Sequence, residues 1–231
     1  MLNANDILSR SPRFILSTIR AASGSDGSRT VRIFRPWSSS VSVKVPDRVR
    51  ASGRGEQGAY FAPFPENIHP GMAHYPAGTY ITDALTQEAI GVIDRATDAG
   101  KPFFINLAHY AIHTPIAGQG DPRFIDNYPE DLPQVERDYA AMVESMDASL
   151  GAVMDHLEEA GIADNTIIIF FSDNGGLSNH SRATTDGNDE DVWERDHHNS
   201  PAFSGKGSGY DGGMRVPMIV AWAGGEGQTR L

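Results

Sequence analysis

Cysteine is absent from the 231-residue sequence. That excludes disulfide bonds, thiolate metal sites and a cysteine nucleophile, although it fixes no compartment. Long apolar runs are missing as well. None approaches the ~20 residues of a membrane-spanning helix, so no membrane span is expected. The opening stretch "MLNANDILSRSPRFILSTIR" lacks the unbroken apolar core of a secretion signal, and no cellular address is legible. No internal repeat occurs. What the chain does have is 39% apolar residues with aromatics throughout, which excludes a wholly disordered polymer. Its length suits one sizeable domain or two small ones.

Charge divides near residue 55. Residues 1–55 carry nine Arg and one Lys against Asp6, Asp26 and Asp47, a net +7, while the remainder holds 9 basic and 27 acidic residues, a net −18. A basic arm of this kind can bind nucleic acid. This one holds no recognisable nucleic-acid motif and reads better as a poorly folded leader or as sequence foreign to the domain after it, so no nucleic-acid partner is expected. The expected division is a basic, Arg/Ser-rich leader at 1–55 and a domain at 56–231.

From Tyr80 onward the pattern becomes regular. Ile81, Leu85, Ala89, Val92, Ile93 and Ala96 recur at helical spacing, and the helix is expected to stop near Gly100. "PFFINLA" then reads as a strand buried on both faces. After a long loop, Tyr139, Met142, Met146, Leu150, Val153 and Leu157 form a second helical stripe, with Gly161 placed as its C-terminal cap. "TIIIFF" reads as another buried strand and "VPMIVAW" as a third. Alternating helices and strands predict an α/β fold, a largely parallel sheet with helices on both faces.

Several polar groups fall where chemistry is expected. In such sheets ligands gather beyond the carboxyl ends of the strands. There "TIIIFF" delivers Asp173 and Asn174, an anionic and a neutral oxygen suited to Ca²⁺ or Mg²⁺. An ordinary Asx turn closing the strand explains the same residues. His113, in "AIHTP" beyond "PFFINLA", suits hydrogen bonding to an anionic substrate or leaving group, or else simple packing. His109 reads as structural. Lys206 lies between two glycines in "SGKGSGYDGGMRVP", where backbone amides and an ammonium can approach an anion together, although the spacing is not that of a Walker loop. Arg215 reads as the partner of a nearby carboxylate. The acidic run Asp186 to Asp191, with His197 and His198, misses EF-hand spacing and reads as a solvated loop.

Taken together, "YITDALTQEAIGVID", "KPFFINLAHYAIHTP", "YAAMVESMDASLGAVMDHLEEAGIADNTIIIFFSDNGG" and "GKGSGYDGGMRVPMIVAW" resemble the sulfatases, formylglycine-dependent sulfuric-ester hydrolases of the alkaline-phosphatase superfamily, in family order and spacing. The resemblance implies that Asp173 and Asn174 bind a divalent cation, commonly Ca²⁺. It implies that His113, behind Ile112 in place of the family's proline, contacts the sulfate or leaving group. It implies that Lys206 neutralises a sulfate oxygen, with Asp211 where the family has glutamate. The substrate implied is a sulfated small molecule or glycan. The family's Asp-Asp pair, its Lys-Trp-His segment and its C/S-x-P/A-x-R nucleophile motif have no match. Ser9 and Arg13 in "SRSPR" have the right separation, but Ser11 occupies the Pro/Ala position. The sequence therefore reads as part of a sulfatase catalytic domain, incomplete and inactive as written. A phosphoester hydrolase of the same superfamily and a non-catalytic Ca²⁺- or anion-binding remnant are the alternatives.

Overall fold

The structure, a computed structural model, describes residues 13–19, 41–42, 60–64, 69, 71–113, 115–177 and 199–222. Ser9, the run Asp186 to Asp191, His197 and His198 fall outside the described residues. Helix α1, Ile81–Asp98, buries the expected stripe of Ile81, Leu85, Ala89, Val92, Ile93 and Ala96. Helix α2, Gln134–Glu159, buries Met142, Met146, Val153 and Leu157, and half-buried Tyr139 and Leu150 pack on the same core. Just past each helix the chain turns through a left-handed glycine, Gly100 at φ 61° and Gly161 at φ 66°, a conformation that a Cβ disfavours.

The sheet has the order β2-β3-β1-β4-β5. Strand β1 (Arg13–Ile19) lies between β3 (Phe103–His109) and β4 (Thr166–Ser172) and is parallel to both. The two-residue β2 (Val41–Ser42) extends the parallel part beside β3, and β5 (Met218–Trp222) closes the other side antiparallel to β4. This is the expected α/β architecture with one antiparallel edge. The middle strand was not expected. By composition Arg13–Ile19 belongs to the basic leader, yet its apolar centre, "FIL", pairs at the heart of the sheet.

Burial departs from expectation as well. Along β3, Phe103, Ile105, Leu107 and His109 are buried while Asn106 is exposed, so burial covers one face and not both. The buried set joins α1 and α2 in a single core. Strand β5 is exposed at all five positions, Met218 and Ile219 at 61% each, an open apolar edge among the described residues.

One set of polar groups inside the core is tied together by hydrogen bonds. Thr86 of α1 donates its hydroxyl to the carbonyl of Thr82 at 2.7 Å. Its oxygen must then accept the Ser149 hydroxyl of α2 at 2.5 Å, and Ser149 in turn accepts His109 Nε2–H at 2.9 Å. His109 is thus a buried bracket between β3 and both helices, the structural role expected for it. In the loop from β3 to α2, Arg123 forks onto buried Asp121 through Nε at 3.0 Å and Nη2 at 2.6 Å. It also reaches Asp83 of α1 at 2.7 Å. Asp138 of α2 accepts Gly118 N–H at 2.7 Å, and Tyr80 donates to the carbonyl of Gln119 at 2.8 Å. The loop that carries His113 is therefore anchored to both helices.

Candidate functional site

Strand register brings the candidate residues to one edge. Ile19 of β1 is level with His109 of β3 and with Ser172 of β4. The chains leaving β3 and β4 therefore emerge side by side, two strand spacings or about 10 Å apart. The segment after β3 carries His113, and the segment after β4 carries Asp173 and Asn174.

Behind Asp173 and Asn174 the two glycines have a defined task. Gly175 N–H donates to the carbonyl of Gly213 at 3.0 Å, and Lys206 N–H donates to the carbonyl of Gly176 at 2.7 Å. A Cβ on Gly175 would fall on the carbonyl oxygen of Gly212, and one on Gly212 would fall on that of Ser204. The absence of side chains thus lets the turn after β4 and the Lys206 loop touch backbone to backbone. Asn199 reinforces the contact by donating to the carbonyls of Gly176 at 2.9 Å and Ser204 at 3.1 Å. Asp211 accepts the Phe203 N–H at 2.8 Å and opens α3 (Asp211–Met214), whose first-turn carboxylate is its ordinary complement.

Electrostatics follow from this junction. Burial pushes the Lys206 ammonium below its ordinary range, and the nearby Asp173 carboxylate opposes that shift. Asp173 is exposed, and Asn174, half-buried, donates its side-chain amide to the carbonyl of Gly175 at 2.7 Å. Ser172 closes the turn by donating to the carbonyl of Asn174 at 2.7 Å. The segment is therefore a hydrogen-bonded turn, as the Asx-turn reading expects.

His113 behaves differently. It is 8% exposed, its ring leans on Tyr110 with centroids 5.5 Å apart, and its N–H donates to the carbonyl of Tyr110 at 3.0 Å. It shares the edge of the sheet with the other three residues, and of these the Asp173 carboxylate is near enough to Lys206 to favour its charged form. Arg215 is exposed, and among the described residues no carboxylate pairs with it, contrary to the expectation. Its N–H donates to the carbonyl of Asp211 at 2.7 Å.

For a divalent cation the donors are right in kind but short in number. Ca²⁺ takes six to eight oxygens. Asp173 and Asn174 supply two residues, and among the described residues no group of three His, Asp or Glu gathers. Strand β1 is followed by Arg20-Ala21, so the Asp-Asp pair that the resemblance implies is not found after it. Arg13, the motif partner of Ser9, is level with Thr166 at the start of β4. It therefore lies at the opposite edge of the sheet from the site, roughly 20 Å away along the strand.

Comparison with known proteins identifies the family. A family model described as Sulfatase matches residues 38–230. A sulfatase of Formosa agariphila is 33% identical over 155 residues, 63% of this chain and 25% of its own length. The uncharacterized sulfatase YdeN of Escherichia coli is 36% identical over 152 residues, 64% and 24% of the two lengths. The N-acetylgalactosamine-6-sulfatase of Canis lupus familiaris is 30% identical over 167 residues, 72% and 27%. The chain thus spans about a quarter of the length of these relatives. The crystal structure of Ps i-CgsB superimposes with a TM-score of 0.57 at 27% identity, covering 94% of this chain and 46% of that one. The same protein has been solved in complex with k-i-k-neocarrahexaose.

Proposed function

The chain belongs to the sulfatase family, and on that premise we propose that its strand-edge residues form the anion-holding side of a sulfuric-ester hydrolase site. In this reading Lys206 neutralises a sulfate oxygen and His113 hydrogen-bonds to the sulfate or its leaving oxygen. Attack on a sulfate ester builds charge on those oxygens, and fixed positive groups around them lower the barrier. Asp173 and Asn174 are oxygen donors toward a divalent cation, Ca²⁺ in the first place and Mg²⁺ in the second, and no step is assigned to that ion. The substrate class is a sulfated carbohydrate or small molecule, in keeping with the sugar sulfate in the name of one relative and the saccharide bound to another.

One observation carries the proposal: the turn after β4 and the Lys206 loop are joined backbone to backbone, with Asp173 acting on the Lys206 ammonium. A second reading, binding without turnover, is favoured by the shortage of acidic ligands: among the described residues no group of three His, Asp or Glu gathers. Isothermal titration with sulfate tests both. The 231-residue chain is expected to bind sulfate, and Lys206→Ala to weaken binding by roughly 10- to 100-fold, the loss of one charge-assisted contact. Equal affinity of the two proteins would remove Lys206 from the site. The chain alone is expected not to turn over an aryl sulfate, and turnover abolished by Asp173→Ala would refute the non-catalytic reading. Tighter binding of phosphate than of sulfate would move the assignment to a phosphoester hydrolase.

A further inference from the structure

Tyr60 is fully buried, and its position in the sequence gives no hint of a link to the strand edge. Its hydroxyl donates to the carbonyl of His113 at 2.5 Å and lies 3.4 Å from that of Tyr110. Those two carbonyls bound the tight turn in which His113 N–H donates back to Tyr110 at 3.0 Å. The ring contributes a second path. Tyr60 packs on Tyr110 with centroids 4.8 Å apart, and Tyr110 packs on His113 at 5.5 Å.

The far side of Tyr60 is held equally firmly. Its carbonyl accepts the N–H of Ile81, the first residue of α1, at 2.8 Å. The next residue, Phe61, bridges Tyr80, and the Tyr80 ring stacks on Tyr60 at 5.8 Å. Packing alone would be served as well by phenylalanine. A buried phenol costs free energy unless it finds an acceptor, and both acceptors that Tyr60 finds are carbonyls of the His113 turn. Burial, helped by the neighbouring tyrosines, holds its ionisation well above the ordinary range, so the hydroxyl remains a donor.

We propose that Tyr60 is a positioning residue for His113: a crossbar from the start of α1 that fixes the turn and hence the direction of the imidazole at the strand edge. The proposal rests on the sulfatase reading for what His113 does, and on the geometry alone for what holds it.

Histidine-labelled NMR of the full chain tests it, with Tyr60→Phe compared against Tyr80→Phe. The second change removes a hydroxyl from the same aromatic column, one that serves Gln119 and not His113. Tyr60→Phe is expected to shift and broaden the His113 ring signal and to speed exchange of the His113 amide by about 10-fold or more, as a released turn should. Tyr80→Phe is expected to leave both unchanged. An unmoved His113 in Tyr60→Phe, or equal movement in the two variants, overturns the proposal. Should Tyr60→Phe not fold, the wild-type chain decides: a slowly exchanging Tyr60 hydroxyl proton with a cross-peak to the His113 α-proton is expected, and its absence overturns the proposal. Failure of the sulfatase reading would appear elsewhere, as sulfate affinity indifferent to Lys206→Ala, and would leave the His113 signals untouched.

Discussion

Gly175→Ala is expected to cost about 3 kcal/mol or more and to abolish sulfate binding together with the stability loss. The added Cβ would meet the carbonyl oxygen of Gly212, a backbone atom that cannot rotate away. Relief requires the turn after β4 to separate from the Lys206 loop, breaking the Gly175–Gly213 and Lys206–Gly176 hydrogen bonds at the same time. Those bonds hold the turn of Asp173 against the loop of Lys206, so on the proposed function stability and binding should fall together. Urea denaturation with sulfate titration measures both. Gly151→Ala is the control: it lies inside α2, and a Cβ there meets nothing within 4 Å. That change should stabilise the chain by roughly 0.5–1 kcal/mol. Equal effects of the two substitutions would show that close approach at Gly175 is not what the glycine is for.

Acid is expected to destabilise the chain as the pH falls from 6.5 toward 4. His69 and His109 are 1% and 0% exposed, and burial depresses each from the ordinary 6.5 to about 4. His109 spends its Nε2 proton on Ser149, while His69 packs edge-on against Phe64 and its Nε2 finds no partner among the described residues. Between pH 6.5 and 4 the unfolded chain binds protons at these two rings that the folded chain does not. Their contribution to stability is therefore complete above pH 6.5 and lost as the pH falls toward 4. For fully buried His109 the linkage is on the order of 3 kcal/mol, a large share of a domain's stability, and His69 adds a smaller, solvent-screened part. Asp121, whose burial is outweighed by its hydrogen bonds to Arg123, loses its contribution only at lower pH. Urea midpoints measured across this range should fall steeply. His109→Gln keeps a donor for Ser149 and should remove the larger part of the slope. A midpoint that stays flat through that window would show that neither ring is desolvated in solution.

Much of the framework was legible because its signals are local. A helix writes its buried face into residues three and four apart, so Ile81 to Ala96 and Met142 to Leu157 identified α1 and α2. Apolar runs of strand length located β3, β4 and β5, and the Asp-Asn-Gly-Gly ending marked the turn after β4. Lys206 could be singled out from its flanking glycines alone. The burial of the strands was misread because an apolar run reports what a strand can bury, not which of its faces is covered.

The order of elements from α1 to β5 and the residue types at the strand edge were thus determined by the sequence itself. Tertiary structure decided the rest. Only pairing with β3 and β4 shows that seven residues of a basic segment form the middle of the sheet, because strand partners are chosen by hydrogen-bond register over long separations. Only the close approach of Gly175 to Gly212 shows why position 175 has no side chain. The bond from Tyr60 to His113 joins residues 53 positions apart, and no periodicity or motif spans that distance. Local patterns are written along the chain, whereas close approach and register exist only once the chain has folded back on itself.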